Sequence, residues 1–169
     1  MRKILTILLV SLPCLQSGAQ DRILQELTAI LDGNCVKLSY RYENSAGVPL
    51  GSGTASIQGV KYQVSEGNIR FFCDGQSTWS VDSGTKEVYI EKAGNRNDLF
   101  GNLKEVLPKL KNLAYDGKKN VSLTITLSDK VGPINCKALI EEVSPASEER
   151  DFSFDTGALD SSWIITDLR

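Results

Sequence analysis

Short alternating segments between Gly53 and Glu91 leave this chain little choice of fold. They read Gly-Thr-Ala-Ser-Ile-Gln-Gly, Lys-Tyr-Gln-Val, Ile-Arg-Phe-Phe-Cys-Asp-Gly-Gln-Ser-Thr-Trp-Ser-Val-Asp and Lys-Glu-Val-Tyr-Ile-Glu. Gly59, Glu66-Gly67-Asn68, Asp74-Gly75 and Ser83-Gly84-Thr85 punctuate them. Asp-Gly between alternating runs is a strong hairpin signal, because glycine accepts the positive φ that a tight turn demands. Four strands in about forty residues leave no room for crossover helices, so the sheet here is expected to be antiparallel.

The N-terminus carries an address. Arg2 and Lys3 form a positive n-region, and Ile4 to Leu15 an apolar run broken only by Thr6, Ser11 and Pro13. Ser17-Gly18-Ala19 then places small residues at a cleavage site. This is the pattern of a secretory signal peptide over residues 1–19, with an apolar part too short for a transmembrane helix. A lipoprotein signal cleaved before Cys14 is the competing reading, and Pro13 fits it poorly, since such sites favour a small residue there. Cleavage after Ala19 leaves a single domain, 20–169, long enough for a core of its own.

Of the 19 Lys and Arg, Arg2 and Lys3 fall in the leader, which leaves 17 against 21 Asp and Glu, a balance of −4. Such a surface offers no electrostatic reason to bind nucleic acid. Lys104, Lys109, Lys111, Lys118 and Lys119 cluster locally and read as the solvated face of a helix and its exit loop. Cys35, Cys73 and Cys136 remain after cleavage, and in an oxidising compartment two of them can pair. No CxxC spacing writes a redox pair or a zinc site. Which pair forms, if any, stays open.

Around the meander, two helical patterns stand out. Asp21 can cap a first helix carrying Ile23, Leu24, Leu27, Ile30 and Leu31 on one stripe, with Gly33 at its C-terminal end. Leu99, Phe100, Leu103, Val106, Leu107, Leu110 and Leu113 recur at 3.6-residue spacing and predict a second helix over 97–113, kinked at Pro108. Val36, Leu38, Tyr40 and Tyr42 alternate with polar residues as a half-buried strand does, and so do Val121, Leu123, Ile125 and Leu127. Cys136 to Val143 and Trp163-Ile164-Ile165 read as further strands. The expected class is α+β: a strongly curved antiparallel sheet, an incomplete β-barrel, with two amphipathic helices covering its concave face. The space between is either a filled core or a ligand cavity, and periodicity alone favours the filled core.

Catalytic chemistry is scarce. The chain has no histidine, which removes the commonest general base, the Ser-His and Cys-His nucleophile systems and most catalytic zinc sets. Asp74, Asp82, Asp129 and Asp160 sit beside Gly or Ser in turn contexts, where Asp is expected for backbone reasons. Gly51-Ser52-Gly53 lacks the lysine and following helix of a phosphate loop, so its small residues suit sharp coiling or close backbone approach. Neither an enzyme, nor a metal, nor a cofactor is expected.

In order and spacing, the motifs carry a family likeness over nearly all of 20–169. An amphipathic helix leads to a strand ending Ser39-Tyr40-Arg41-Tyr42, a polar hairpin Glu43 to Leu50, and then Gly51-Ser52-Gly53-Thr54. Cys73-Asp74-Gly75-Gln76-Ser77-Thr78-Trp79-Ser80-Val81-Asp82 is similar to an Asp-Gly-x-x-x-Trp hairpin, and Phe152-Ser153-Phe154-Asp155 with Ile165-Thr166-Asp167-Leu168-Arg169 to a closing strand. In these respects the chain resembles the periplasmic outer-membrane lipoprotein carrier family (LolA-like). The resemblance implies a monomeric periplasmic carrier of acylated lipoproteins, loaded by an inner-membrane lipoprotein-releasing transporter and unloaded at an outer-membrane acceptor. It makes 98–113 a lid helix. The implied apolar site combines Leu38, Tyr40, Tyr62, Phe71 and Trp79 on the sheet with Leu99, Phe100, Leu103, Leu107 and Leu110 on the lid. The family's Lys-x-Pro-Gly segment is absent from Ser56 to Val64, and Gln63 stands near the place of its lid-contacting arginine. The alternative, from another class, is a secreted β-rich interaction or scaffold domain with a filled core and no ligand.

Overall fold

The computed structural model describes residues 15–94, 100–126, 132–146 and 150–169. A helix, α1 (Leu15–Leu31), leads into β1 (Asn34–Asn44), followed by the meander β2 (Pro49–Gln58), β3 (Lys61–Glu66), β4 (Ile69–Cys73), β5 (Ser77–Asp82) and β6 (Glu87–Lys92). A four-residue helix, α2 (Leu103–Val106), and a 3-10 turn (Leu107–Lys109) precede β7 (Lys111–Tyr115), β8 (Asn120–Thr126) and β9 (Pro133–Pro145). The last strand is β10 (Ile164–Asp167). All ten strands join one open sheet in the order β10-β6-β5-β4-β3-β2-β1-β9-β8-β7.

The meander forms as its turn residues dictate. Between β4 and β5, Asp74 Oδ1 accepts from the backbone N–H of Gln76 and Ser77, both at 2.7 Å, while Gly75 takes φ 93. The β5–β6 turn works differently: Asp82 Oδ1 accepts from Gly84 and Thr85, and Lys86 rather than the glycine adopts the left-handed conformation. Every neighbouring pair in the sheet is antiparallel except β10 and β6, which run parallel with Ile165 opposite Val88.

The α+β expectation is overturned. The structure is mostly sheet, 52% strand and 17% helical; the sheet is open and mixed rather than a curved antiparallel half-barrel, and the described residues hold no pair of amphipathic helices covering it. The second predicted helix fails at Pro108. Proline lacks the N–H for the helical ladder and its ring clashes with the preceding turn, so the chain tightens into the 3-10 turn and leaves it extended at Leu110, ψ 144. Leu113, read as the last residue of that helix, lies in β7 and is buried at 7% exposure. Asn112, at φ 52, breaks the register of β7 against β8. No helix among the described residues is long and apolar enough to cross a membrane. The expected signal segment falls largely outside the described residues, and α1 runs from Leu15 past Ala19.

A strand sends alternate side chains to opposite faces, and this sheet buries a different face in each half. On the first face, α1 and the 3-10 turn with the residue after it pack Leu27, Leu107 and Leu110 against Val36, Leu113, Val121 and Ile140 of the sheet. On the second, beneath β4 to β6, Phe72, Trp79, Val81, Val88 and Ile90 are covered by Phe154, Leu159 and Trp163 from the C-terminal segment. Phe154 packs on Phe72 with ring centroids 5.1 Å apart and the planes tilted by 39°, and the Arg70 guanidinium lies over both rings. Strand β3 links the halves by placing Tyr62 and Val64 on the first face in a third cluster with Ala55, Ile57 and Cys73.

Trp79, at 7% exposure, is thus a structural anchor of the second face. Replacing it with Ala is expected to cost about 3–5 kcal/mol, read as a lower denaturant midpoint. Amide-exchange protection of the first-face strands around Ile57 and Val64 should be unchanged at temperatures where the variant stays folded. Equal loss of protection on both faces in the folded variant would contradict this separation.

Candidate functional site

A cavity of about 330 Å³ opens on the first face between β1, β2, β8 and β9 and the segment 100–110. Register builds its floor. Tyr40 stands opposite Ala138 and Tyr42 opposite Cys136 across the β1–β9 pair, while Cys136 meets Leu123 and Ile134 meets Ile125 across β8–β9. Leu38 and Ile57 close one end, and Phe100, Leu103 and Leu110 form the roof. Phe100 fixes that roof to the sheet, its ring centroid 6.1 Å from Tyr40 and 5.9 Å from Tyr62. Lys104 of α2 ion-pairs with Asp32 in the turn after α1.

Glu66 is the one charged side chain among the described lining residues. It ends β3 and accepts from two phenols of β1: Tyr40 donates to Oε2 at 3.0 Å, and Tyr42 donates to Oε1. The single strand between them, β2, enters this contact only as backbone, because it presents glycine at both crossing points. Tyr42 pairs with Gly51 and Tyr40 with Gly53. A Cβ on Gly51 would lie 2.6 Å from the Tyr42 Cζ and 2.7 Å from Glu66 Oε1. One on Gly53 would lie 2.7 Å from the Tyr40 hydroxyl and 2.5 Å from the Ser65 carbonyl oxygen. The rings lie across bare backbone, an arrangement that also shields the glycine positions.

The two phenols are held in the neutral, donating state. Burial first, then the hydrogen bond to Glu66, pushes Tyr40 far above its ordinary value. For Tyr42 the hydrogen bond to Glu66 is the largest cause, and it is pushed up to about 12. Burial raises the Cys136 thiol in the cavity floor. No disulfide joins Cys35, Cys73 and Cys136 to one another.

The ten site residues expected from sequence scatter. Leu38, Tyr40, Phe100, Leu103 and Leu110 line the cavity. Tyr62 is buried beside it and touches Phe100. Leu107 turns away into the core under α1. Phe71 shares the first face but lies beyond the roof, 39% exposed. Trp79 pairs in register with Phe72, not Phe71, and parity carries it to the second face. Leu99 lies outside the described residues. Gln63, flanked by Tyr62 and Val64 of the first face, points to the opposite side by the same alternation. It therefore cannot act as a lid-contacting arginine does. Glu66, Tyr42 and the β8–β9 floor were missed. Their one sequence signal is Tyr-x-Tyr facing Gly-x-Gly across the Glu43–Leu50 hairpin.

Two outcomes test this geometry. Gly51→Ala is expected to cost about 1–3 kcal/mol by overpacking, and clearly less when Tyr42→Ala has already removed the ring and left only the end of the Glu66 side chain to give way; equal costs in both backgrounds would refute the slot. Tyr42 protonation is favoured by folding, so its stabilisation is whole below pH 10, the ordinary phenol value, and lost as pH rises towards about 12. Tyrosinate absorbance in Glu66→Gln should therefore develop at lower pH than in the parent chain.

Against protein-family models the chain has no match, and no curated protein sequence matches it. The likeness to the lipoprotein carriers rests on the motifs alone.

Proposed function

We propose that the chain is an exported carrier, holding acyl chains of lipoproteins between the sheet and residues 100–110 and releasing them at an outer-membrane acceptor. The observation that carries this reading is the cavity, whose walls are aliphatic and aromatic apart from one carboxylate and its two phenols. Its volume of about 330 Å³ sits at the small end of the roughly 300–1,000 Å³ range of ligand sites. It takes one acyl chain as it stands. Cargo with more chains requires the roof to lift.

The roof suits that movement. Helix α2 has four residues, is followed by a proline-bearing 3-10 turn, and is tied to the α1 turn by an exposed ion pair of a kind that adds little stability. Each buried methylene contributes about 0.8 kcal/mol, so a single chain binds firmly enough to be carried and weakly enough to be released. The export pattern of residues 1–19 and the motif likeness supply the rest of the reading: a periplasmic location, with an inner-membrane releasing transporter as donor. A void of this size argues against the alternative of a ligand-free scaffold domain with a filled core.

Ala138 lies on the cavity floor opposite Tyr40, and Ala138→Phe would fill the void. This variant should stay folded, with unfolding temperature unchanged or raised, and bind N-phenyl-1-naphthylamine and purified acylated lipoprotein about tenfold more weakly or worse. Leu103→Asp in the roof should likewise give a folded protein that takes up neither. Wild-type uptake by both folded variants would sink the carrier reading.

A further inference from the structure

We propose that Glu66, with Tyr40 and Tyr42, is a head-group subsite that selects an amphiphile ending in a protonated amine over one ending in a carboxylate or phosphate. The proposal rests on the reading of the cavity as an acyl-chain site and names the polar end of its ligand.

A carboxylate offers two oxygens and about four lone-pair positions, of which the two tyrosine hydroxyls occupy one on each oxygen. Among the described residues no lysine or arginine ion-pairs with Glu66. Of the cations of β1 and β9, Lys37 pairs with Glu142 and Lys137 with Glu43, and Arg41 alternates with Tyr40 and Tyr42 onto the opposite face. Among the described residues, the negative charge thus stands half-buried beside apolar walls without a counterion. In such surroundings an uncompensated charge is costly and a hydrogen-bonded opposite charge is strongly attracted.

The ring faces add to the same preference. Tyr40 and Tyr42 are stacked with centroids 6.4 Å apart, and Phe100 stands 6.1 Å from Tyr40. Aromatic faces within such distances of a cation attract it. They offer nothing to an anion, which Glu66 would also repel. If tying β1 to β3 were the whole purpose, a neutral acceptor would serve both phenols as well and avoid the desolvation of a charge. Gly51 and Gly53 keep the three side chains together at one end of the apolar void. That places the head-group contact within reach of a chain lying over Ala138, Leu123 and Leu103.

The test compares dodecylamine, dodecanol and dodecanoate as displacers of N-phenyl-1-naphthylamine from the full chain near neutral pH. A hydrogen bond to a charged group makes the amine the tightest binder, on the order of tenfold over the carboxylate, with the alcohol between. Glu66→Gln keeps the shape and an acceptor, and should bring the amine and the carboxylate to the same affinity. The parent chain's own ranking of amine against carboxylate needs no variant, so a Glu66→Gln chain that fails to fold leaves the test standing. Equal binding of amine and carboxylate by the parent chain would overturn the head-group assignment and spare the acyl-chain cavity, as would a preference that survives Glu66→Gln. Failure of all three probes, dodecanol included, would bring down the cavity reading itself.

Discussion

A single sheet has two faces, and both must be covered where they are apolar. Every larger feature of this molecule follows from that requirement. Strand alternation sends Val36, Ile57 and Val64 to one side and Trp79, Val81 and Val88 to the other, all nearly or fully buried. One helix cannot shelter both sides. The chain divides the work between α1 with the 100–110 segment and the C-terminal residues that carry Phe154 and Trp163. The cavity exists where the first cover is thinnest, under a helix of one turn that reaches the sheet through Phe100.

Local chemistry made the meander legible. Asp74-Gly75 and the Asp82 turn act over three or four residues, and nothing distant can override them. The second helix was misread because its leucines serve two geometries in turn. Leu103 and Leu107 keep a helical spacing, but Pro108 ends it, and Leu113 finds its burial in a strand. The error over Trp79 was one of parity. Phe71 and Phe72 are adjacent aromatics, and only the register with β5 tells which of them shares a face with the tryptophan. The parallel pairing of β10 with β6 left no sequence signal, because its partner lies about eighty residues upstream and no short connection announces it.

Glu66 shows why the candidate site was harder to read than the fold. A glutamate before Gly67-Asn68 looks like a solvated turn residue, and its neighbours in sequence say nothing else. Its meaning comes from β1, two strands away, through a strand whose glycines let the phenols pass. The apolar floor, by contrast, was half visible, since Leu123 and Ile125 alternate cleanly. What could not be read was that β9 brings Ala138 and Cys136 beneath Tyr40 and Tyr42 from roughly a hundred residues downstream.

The strand order also dictates when the molecule can become complete. Strands β2 to β6 are joined by short turns and can pair as soon as they exist, whereas the central β1 must wait for β9. The second face waits longest, since its cover is drawn from residues 152–163. Until those residues arrive, a growing chain holds a paired meander with Trp79, Val81, Val88 and Ile90 open to solvent. Such a species presents both an apolar surface and the unpaired edge of β6, the two features that drive aggregation of partly folded chains. A chain of this topology is therefore best kept unfolded until residues 152–163 have been made.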